Sequence, residues 1–253
     1  MKRLLAVSFA LLLCGCASKA PEDRPQRNEP DLKQASRINA QLGFEYLRKG
    51  DLKLAEEKFK RAIDEDSNLS GGYTGLGIVY SRRGRNDDAE EAFKKALSRE
   101  PDSPDALNNY GSFLCSTGKS EQAERMFLKA AKNYDNPKPE LAWTNAANCI
   151  VAKQPDKAEE YLREALKANP EFPDALASFA SITYQQGEYL RTRAFLQRYE
   201  AVAQPSPNTL WLRSKTEAAL GDATTARLYE QLLKTKFPEA RFSDPLAAPT
   251  KHD

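Results

Sequence analysis

The same apolar and small residues return every 34 positions along most of this sequence, and that period constrains the fold more than any other feature. It is clearest in residues 70–103. There Tyr73, Leu76, Gly77, Tyr80, Gly84, Ala89, Phe93, Ala96 and Pro101 stand at positions 4, 7, 8, 11, 15, 20, 24, 27 and 32 of the block. The block predicts two antiparallel helices of about 13 residues each, joined by a short turn. Small residues, Gly77 in the first helix and Ala89 in the second, let the backbones approach closely, and Tyr80 and Phe93 fill the space around that contact. Gly84 ends the first helix, where a positive φ is useful. Pro101 stops the second, because a proline inside a helix loses a hydrogen bond and clashes with the preceding turn. One such unit cannot bury its apolar face alone, so the units stack and present an extended concave surface.

The spacing resembles the tetratricopeptide repeat, and it implies an all-α, right-handed superhelical solenoid of about six repeats. Their expected limits are residues 36–69, 70–103, 104–137, 140–170, 173–205 and 207–238, within a solenoid spanning 33–240. Leu42, Gly43, Tyr46, Gly50, Ala55, Phe59 and Ala62 carry the first, and Leu107, Tyr110, Gly111, Leu114, Gly118, Ala123, Phe127 and Ala130 the third. The connection after the third is longer and holds Pro137 and Pro139, while the turn inside the fourth is one residue short. The fifth has Thr192 where a smaller residue is usual, and the sixth lacks the aromatic at position 24. Terminal units are expected to be atypical, since one of their faces meets solvent.

The first residues read as an address. Lys2 and Arg3 precede a mostly apolar run over residues 4–13, long enough for a signal peptide and too short to span a bilayer. Leu13-Cys14-Gly15-Cys16 resembles a bacterial lipobox, which implies a signal peptide of residues 1–15 and lipid on Cys16. The alternative is a plain secretory signal with incidental cysteines. Ala17 follows where aspartate would resemble an inner-membrane retention signal, so the expected location is the periplasmic face of the outer membrane. Residues 16–32, rich in proline and charge, read as a lipidated flexible tether, and residues 241–253 as a disordered tail.

Charge narrows the partners. Without Lys2 and Arg3 the 38 basic residues fall to 36, equal to the 36 acidic ones, so no basic excess remains to neutralise phosphates and nucleic acid is a poor partner. Catalysis finds little to stand on: the single histidine is His252 in the tail, and no glycine-rich phosphate loop occurs. Carboxylates sit beside Lys and Arg at helix-surface spacings, as in Glu56-Glu57-Lys58, which reads as a solvated face. No catalytic residue, cofactor, metal site or small-molecule substrate is expected.

Past the lipid-bearing end two cysteines remain, Cys115 and Cys149, one repeat length apart on first helices. Outside the inner membrane such a pair is read as a disulfide, stabilising by about 3–4 kcal/mol in the loop-closure picture. The other reading is two buried thiols acting as small apolar residues. The concave surface falls on positions 2, 5, 9 and 12 of each first helix, which places Phe44, Leu47, Thr74, Ile78, Asn108, Ser112 and Asn148 in a partner-binding groove, apolar at its N-terminal end and polar but uncharged in the middle. Phe44, Leu47 and Ile78 either receive an apolar partner segment or pack against the stretch ahead of the first repeat. Ala40, Phe44, Thr74 and Ile78 stand where a carboxylate-clamp receptor carries Lys and Asn, so that mode of binding is not expected.

Leu107-Asn-Asn-Tyr-Gly-Ser-Phe-Leu114, followed by Gly118-Lys119 and Glu121-Gln-Ala123, resembles the PilF/PilW family of type IV pilus biogenesis lipoproteins, as does Gln41-Leu-Gly-x-x-Tyr-Leu-Arg-Lys-Gly50. The cysteine pair is similar to that of disulfide-bearing members. The resemblance implies a pilotin: a lipid-anchored scaffold that binds the pilus secretin and promotes its outer-membrane assembly. A generic envelope scaffold serving another complex is the alternative.

Overall fold

The computed structural model describes residues 31–239. The signal segment 1–15, Cys16, most of the tether, the tail 241–253 and His252 lie outside the described residues. Twelve α-helices follow one another, with no strand among the described residues: α1 (Leu32–Lys49), α2 (Leu52–Glu65), α3 (Ser70–Arg82), α4 (Asn86–Arg99), α5 (Pro104–Ser116), α6 (Ser120–Ala131), α7 (Pro139–Ile150), α8 (Pro155–Ala168), α9 (Pro173–Gln185), α10 (Tyr189–Val202), α11 (Pro207–Ala219) and α12 (Ala223–Lys236). They pair as α1/α2 through α11/α12, and each first helix lies against both helices of the pair before it. This is an all-α superhelical repeat fold. Helix α1 begins at Leu32, ahead of the first repeat position at Ser36, because Leu32-Lys33-Gln34-Ala35 are good helix formers that follow the last proline of the tether.

The turns inside the pairs share one device. Gly84 has φ +71°, and the Arg85 N–H reaches back to the Tyr80 carbonyl at 2.9 Å, closing the end of α3 in a Schellman motif. The glycines of the other turns repeat it, except in the fourth pair. There the shortened turn holds no glycine, and the Lys153 and Gln154 N–H groups both bond the Ile150 carbonyl, at 2.9 and 2.8 Å. Prolines open α5, α7, α8, α9 and α11, where their missing N–H costs no hydrogen bond.

Inside the first three pairs a glycine faces a phenylalanine. A Cβ added at Gly43, Gly77 or Gly111 would come within 2.6, 2.7 or 2.7 Å of the ring of Phe59, Phe93 or Phe127. The glycine therefore makes room for a ring, and the close backbone approach expected from sequence follows from that fit. Gly75 does the same from the next pair, so that Phe59 is enclosed from both sides. In the fourth and fifth pairs the corresponding positions hold Ala147 with Leu162 and Ala180 with Leu196, all fully or almost fully buried. A larger residue on one helix is matched by a smaller one on its partner, which keeps the interior close-packed. The sixth pair breaks the series. Ser214 faces the level of Glu230, which turns to solvent, and a cavity of about 470 Å³ opens beside Trp211, Leu233 and Phe237.

Successive pairs are also tied by charge. Glu56 pairs with Arg83, Glu90 with Lys119 at 2.6 Å, Glu124 with Lys157 at 2.6 Å, and Glu159 with Arg191. Each glutamate stands at position 21 of its repeat and each cation belongs to the following one. Glu56, taken from sequence as part of a solvated face, has a side chain only 14% exposed and serves as a joint between units.

Candidate functional site

The first helices α3, α5 and α7 present one continuous face, and the residues assigned from sequence to a groove divide on it. Leu47 and Thr74 are corrected: they are 4% and 3% exposed and cannot meet a partner. Leu47 lies in a core cluster with Ala55, Phe59, Leu76 and Val79, because α3 stacks over the end of α1. Thr74 turns its hydroxyl back to donate to the Ser70 carbonyl at 3.1 Å. Phe44 remains 39% exposed while its ring meets Phe59 edge-on, with centroids 4.9 Å apart. Ile78 is half-buried, Asn108 is half-buried, and Ser112 and Asn148 are exposed.

A recess of about 180 Å³ between α3 and α5 brings two of these residues together, Ile78 on one wall and Ser112 on the other. Phe93 and Phe113 form its apolar floor, and Ser81, Arg82, Asn109 and Ser116 complete the rim. The Arg82 guanidinium donates from Nη1 to the Leu47 carbonyl at 2.9 Å, which fixes the side chain across the seam between the first two pairs. Further along, Asn145 Nδ2 donates to Asn108 Oδ1 at 3.0 Å and joins α7 to α5. Beside these side chains Cys115 and Cys149 are joined in a disulfide, with Cα atoms 5.8 Å apart. The face thus offers hydroxyl and amide groups, with the Arg82 guanidinium, over aromatic rings, groups able to hydrogen-bond a polypeptide segment.

Arg82, Asn109, Ser116 and Asn145 escaped the sequence reading because they fall one residue beyond the positions counted as concave. The adjacency of Asn108 and Asn109 in the 34-residue frame was the available signal. Titratable groups with displaced equilibria lie elsewhere. Hydrogen bonds from Lys119 and Lys94 hold the Glu90 carboxyl at about 2, while burial pushes Glu200 above the usual carboxylate range. Among the described residues no group of His, Cys, Asp and Glu could hold a metal ion, and no helix is long and apolar enough to cross a membrane.

Comparison with known proteins gives this face its context. The tetratricopeptide-repeat family model matches residues 46–206. No curated protein matches the sequence. Among solved structures, PilF of Pseudomonas aeruginosa is 25% identical, with a TM-score of 0.73 over 83% of this chain and 95% of its own. PilW, described as a widely conserved type IV pilus biogenesis factor, is 31% identical, with a TM-score of 0.73 over 82% of this chain and 96% of its own. YrrB, a repeat protein with a peptide-binding site of its own, shares the fold alone, at 18% identity and a TM-score of 0.52 over 72% of this chain and 93% of its own. With the repeat model spanning most of the described helices and PilW matched along nearly its whole length, the chain belongs to the tetratricopeptide-repeat family as a PilF/PilW-like protein.

Proposed function

We propose that this protein acts in type IV pilus biogenesis as a pilotin, binding secretin protomers through the face formed by α3, α5 and α7 and promoting their assembly in the outer membrane. The observation that carries the reading is the likeness to PilF and PilW over more than four-fifths of the chain. The recess between Ile78 and Ser112 suits the task, since its hydroxyl and amide rim can hold an extended segment while Phe93 and Phe113 accept an apolar side chain. Lipid on Cys16 would hold the solenoid at the periplasmic face of the outer membrane and raise the local concentration of the protomers it binds. The protein works in this reading as a scaffold, with no cofactor and no catalytic step. The test is an immunoblot for detergent-resistant secretin multimers in fractionated outer membranes, with and without the gene. Loss of multimers with monomer retained is the expected result. Multimers at normal level and place would mean that the solenoid serves a different envelope complex.

A further inference from the structure

The second helices form the opposite face of the stack, and there successive helices stay apart. Among the described residues no Cα of one comes within 8 Å of a Cα of the next, which leaves a furrow between each neighbouring pair. In the furrow between α8 and α10 the lining includes repeat positions 25 and 29 of the leading helix and 19 and 26 of the following one. The residues at these positions can be compared directly. Between α2 and α4 they are Lys60, Asp64, Asp88 and Lys95. Between α4 and α6 they are Lys94, Ser98, Gln122 and Lys129, and between α6 and α8 Leu128, Lys132, Lys157 and Glu164. Between α10 and α12 they are Gln197, Ala201, Thr225 and Leu232, with no charge at all. Between α8 and α10 alone, all four are cations: Arg163, Lys167, Arg191 and Arg198.

These four side chains surround a cavity of about 360 Å³ whose floor is Leu166, Phe179 and Phe195. The two phenylalanine rings stack at 4.4 Å between centroids. The side chains of Lys167, Arg163 and Arg191 are 77%, 61% and 44% exposed. Three carboxylates answer them. Glu159 is shared by Arg163 at 3.0 Å and by Arg191, Glu188 pairs with Arg191, and Glu164 lies 3.5 Å from Lys167. None of the three lines the cavity. The Arg198 guanidinium donates to the Pro170 carbonyl at 2.8 Å and lies 5.7 Å from the Phe195 ring, and it forms no ion pair among the described residues. The furrow therefore combines excess positive charge at its rim with an apolar floor.

We propose that the furrow between α8 and α10 is a docking site for an acidic segment of a partner protein, one that sets an apolar side chain on Phe179 and Phe195 between carboxylates held by the surrounding cations. The proposal concerns the face away from the groove and stands apart from the function assigned to it. Three of the four cations are arginines, whose planar fork receives a carboxylate in two parallel hydrogen bonds. The ligand's apolar group must enter from outside, because Phe179 is buried and Phe195 half-buried below the rim, so neither can insert into a bilayer. A bare phosphate would leave the apolar floor unused. The exposed pair of Lys167 with Glu164 is weak enough for an incoming carboxylate to replace it, while Glu159, 11% exposed, keeps its place between the units.

The full-length protein, purified in detergent, is titrated against a fluorescein-labelled Glu-Glu-Phe-Glu-Glu peptide and followed by fluorescence anisotropy. Saturable binding is expected, weakened roughly tenfold or more by Arg163→Glu with Arg198→Glu, and to a lesser degree by glycine in place of the peptide's phenylalanine. Lys167→Glu, at an exposed position, should weaken binding in the same direction, and it guards against a misfolded double variant. Lys94→Glu with Lys129→Glu, the same charge change in the furrow between α4 and α6, should leave binding intact. No saturable binding, equal losses in both furrows, or binding only to phosphatidylglycerol vesicles would each overturn the proposal.

Discussion

At the scale of single residues the fold rests on matched volumes. Phe93 is 1% exposed, and a Cβ at Gly77 would stand 2.7 Å from its ring. Gly77→Leu should therefore lower stability by about 1–3 kcal/mol or more through overpacking, measured as the shift in urea midpoint. A sharper form uses the molecule's own solution in the fourth and fifth pairs, alanine against leucine. Gly77→Ala adds volume against the ring, and Phe93→Leu opens a cavity. Together they reproduce the pairing of Ala147 with Leu162, so the double variant should be more stable than the summed single effects by at least about 0.5 kcal/mol. Additive effects would mean that the two side chains do not share one space. The register of Gly77 and Phe93 was legible in the sequence because it recurs every 34 residues. Gly75 was not: only the second pair has a glycine at that position, and its role is to admit a ring from the preceding pair.

At the scale of helices the glutamate at position 21 joins each of the first four pairs to the next, and it carries a pH signature. The Glu90 carboxyl, with hydrogen bonds from Lys119 and Lys94 outweighing burial, is lowered from 4.5 to about 2. A carboxyl whose folded value lies below its unfolded one contributes stability above the unfolded value, and that contribution fades as pH falls through the folded one. The urea midpoint of the wild type should accordingly fall between pH 4.5 and about 2, and Glu90→Gln, which does not titrate, should flatten that part of the profile. Identical profiles would show that the Glu90 joint does not contribute to stability. The ladder was partly visible beforehand, since Glu56, Glu90 and Glu124 are spaced by one repeat. Helix-surface carboxylates beside lysines nevertheless look solvated in a linear sequence. Only stacking reveals that Arg83 and Lys119 reach back from the following unit. The irregular turn of the fourth pair was legible for the opposite reason: a missing residue and a missing glycine are both explicit in the sequence, and the altered hydrogen bonds at Ile150 follow from them.

At the scale of the whole molecule the proposed binding face and the proposed anchor belong to different parts of the chain, and this separates their effects. The face could be read from sequence only in outline. Counting positions assigned Ile78 and Ser112 to the face, where they line one recess, yet it included Leu47 and Thr74, which the stacking of α3 on α1 and α2 removes from the surface. A frame of positions records which way a side chain starts from its helix, not what the next unit lays over it. Ser112 is exposed on the rim of the recess and donates only to its own helix, at the Asn108 carbonyl, so its replacement leaves the core untouched. Ser112→Arg would fill a recess of about 180 Å³ without unfolding the repeat. In the pilotin reading this variant should fractionate with the outer membrane like the wild type while detergent-resistant secretin multimers diminish. Cys16→Ala should do the reverse in the first respect, leaving the outer membrane while its folded solenoid still binds secretin in extracts. If Ser112→Arg leaves the multimers unchanged, the recess between α3 and α5 is not where secretin is held. If Cys16→Ala fractionates as before, the attachment of the solenoid to the membrane does not pass through that cysteine.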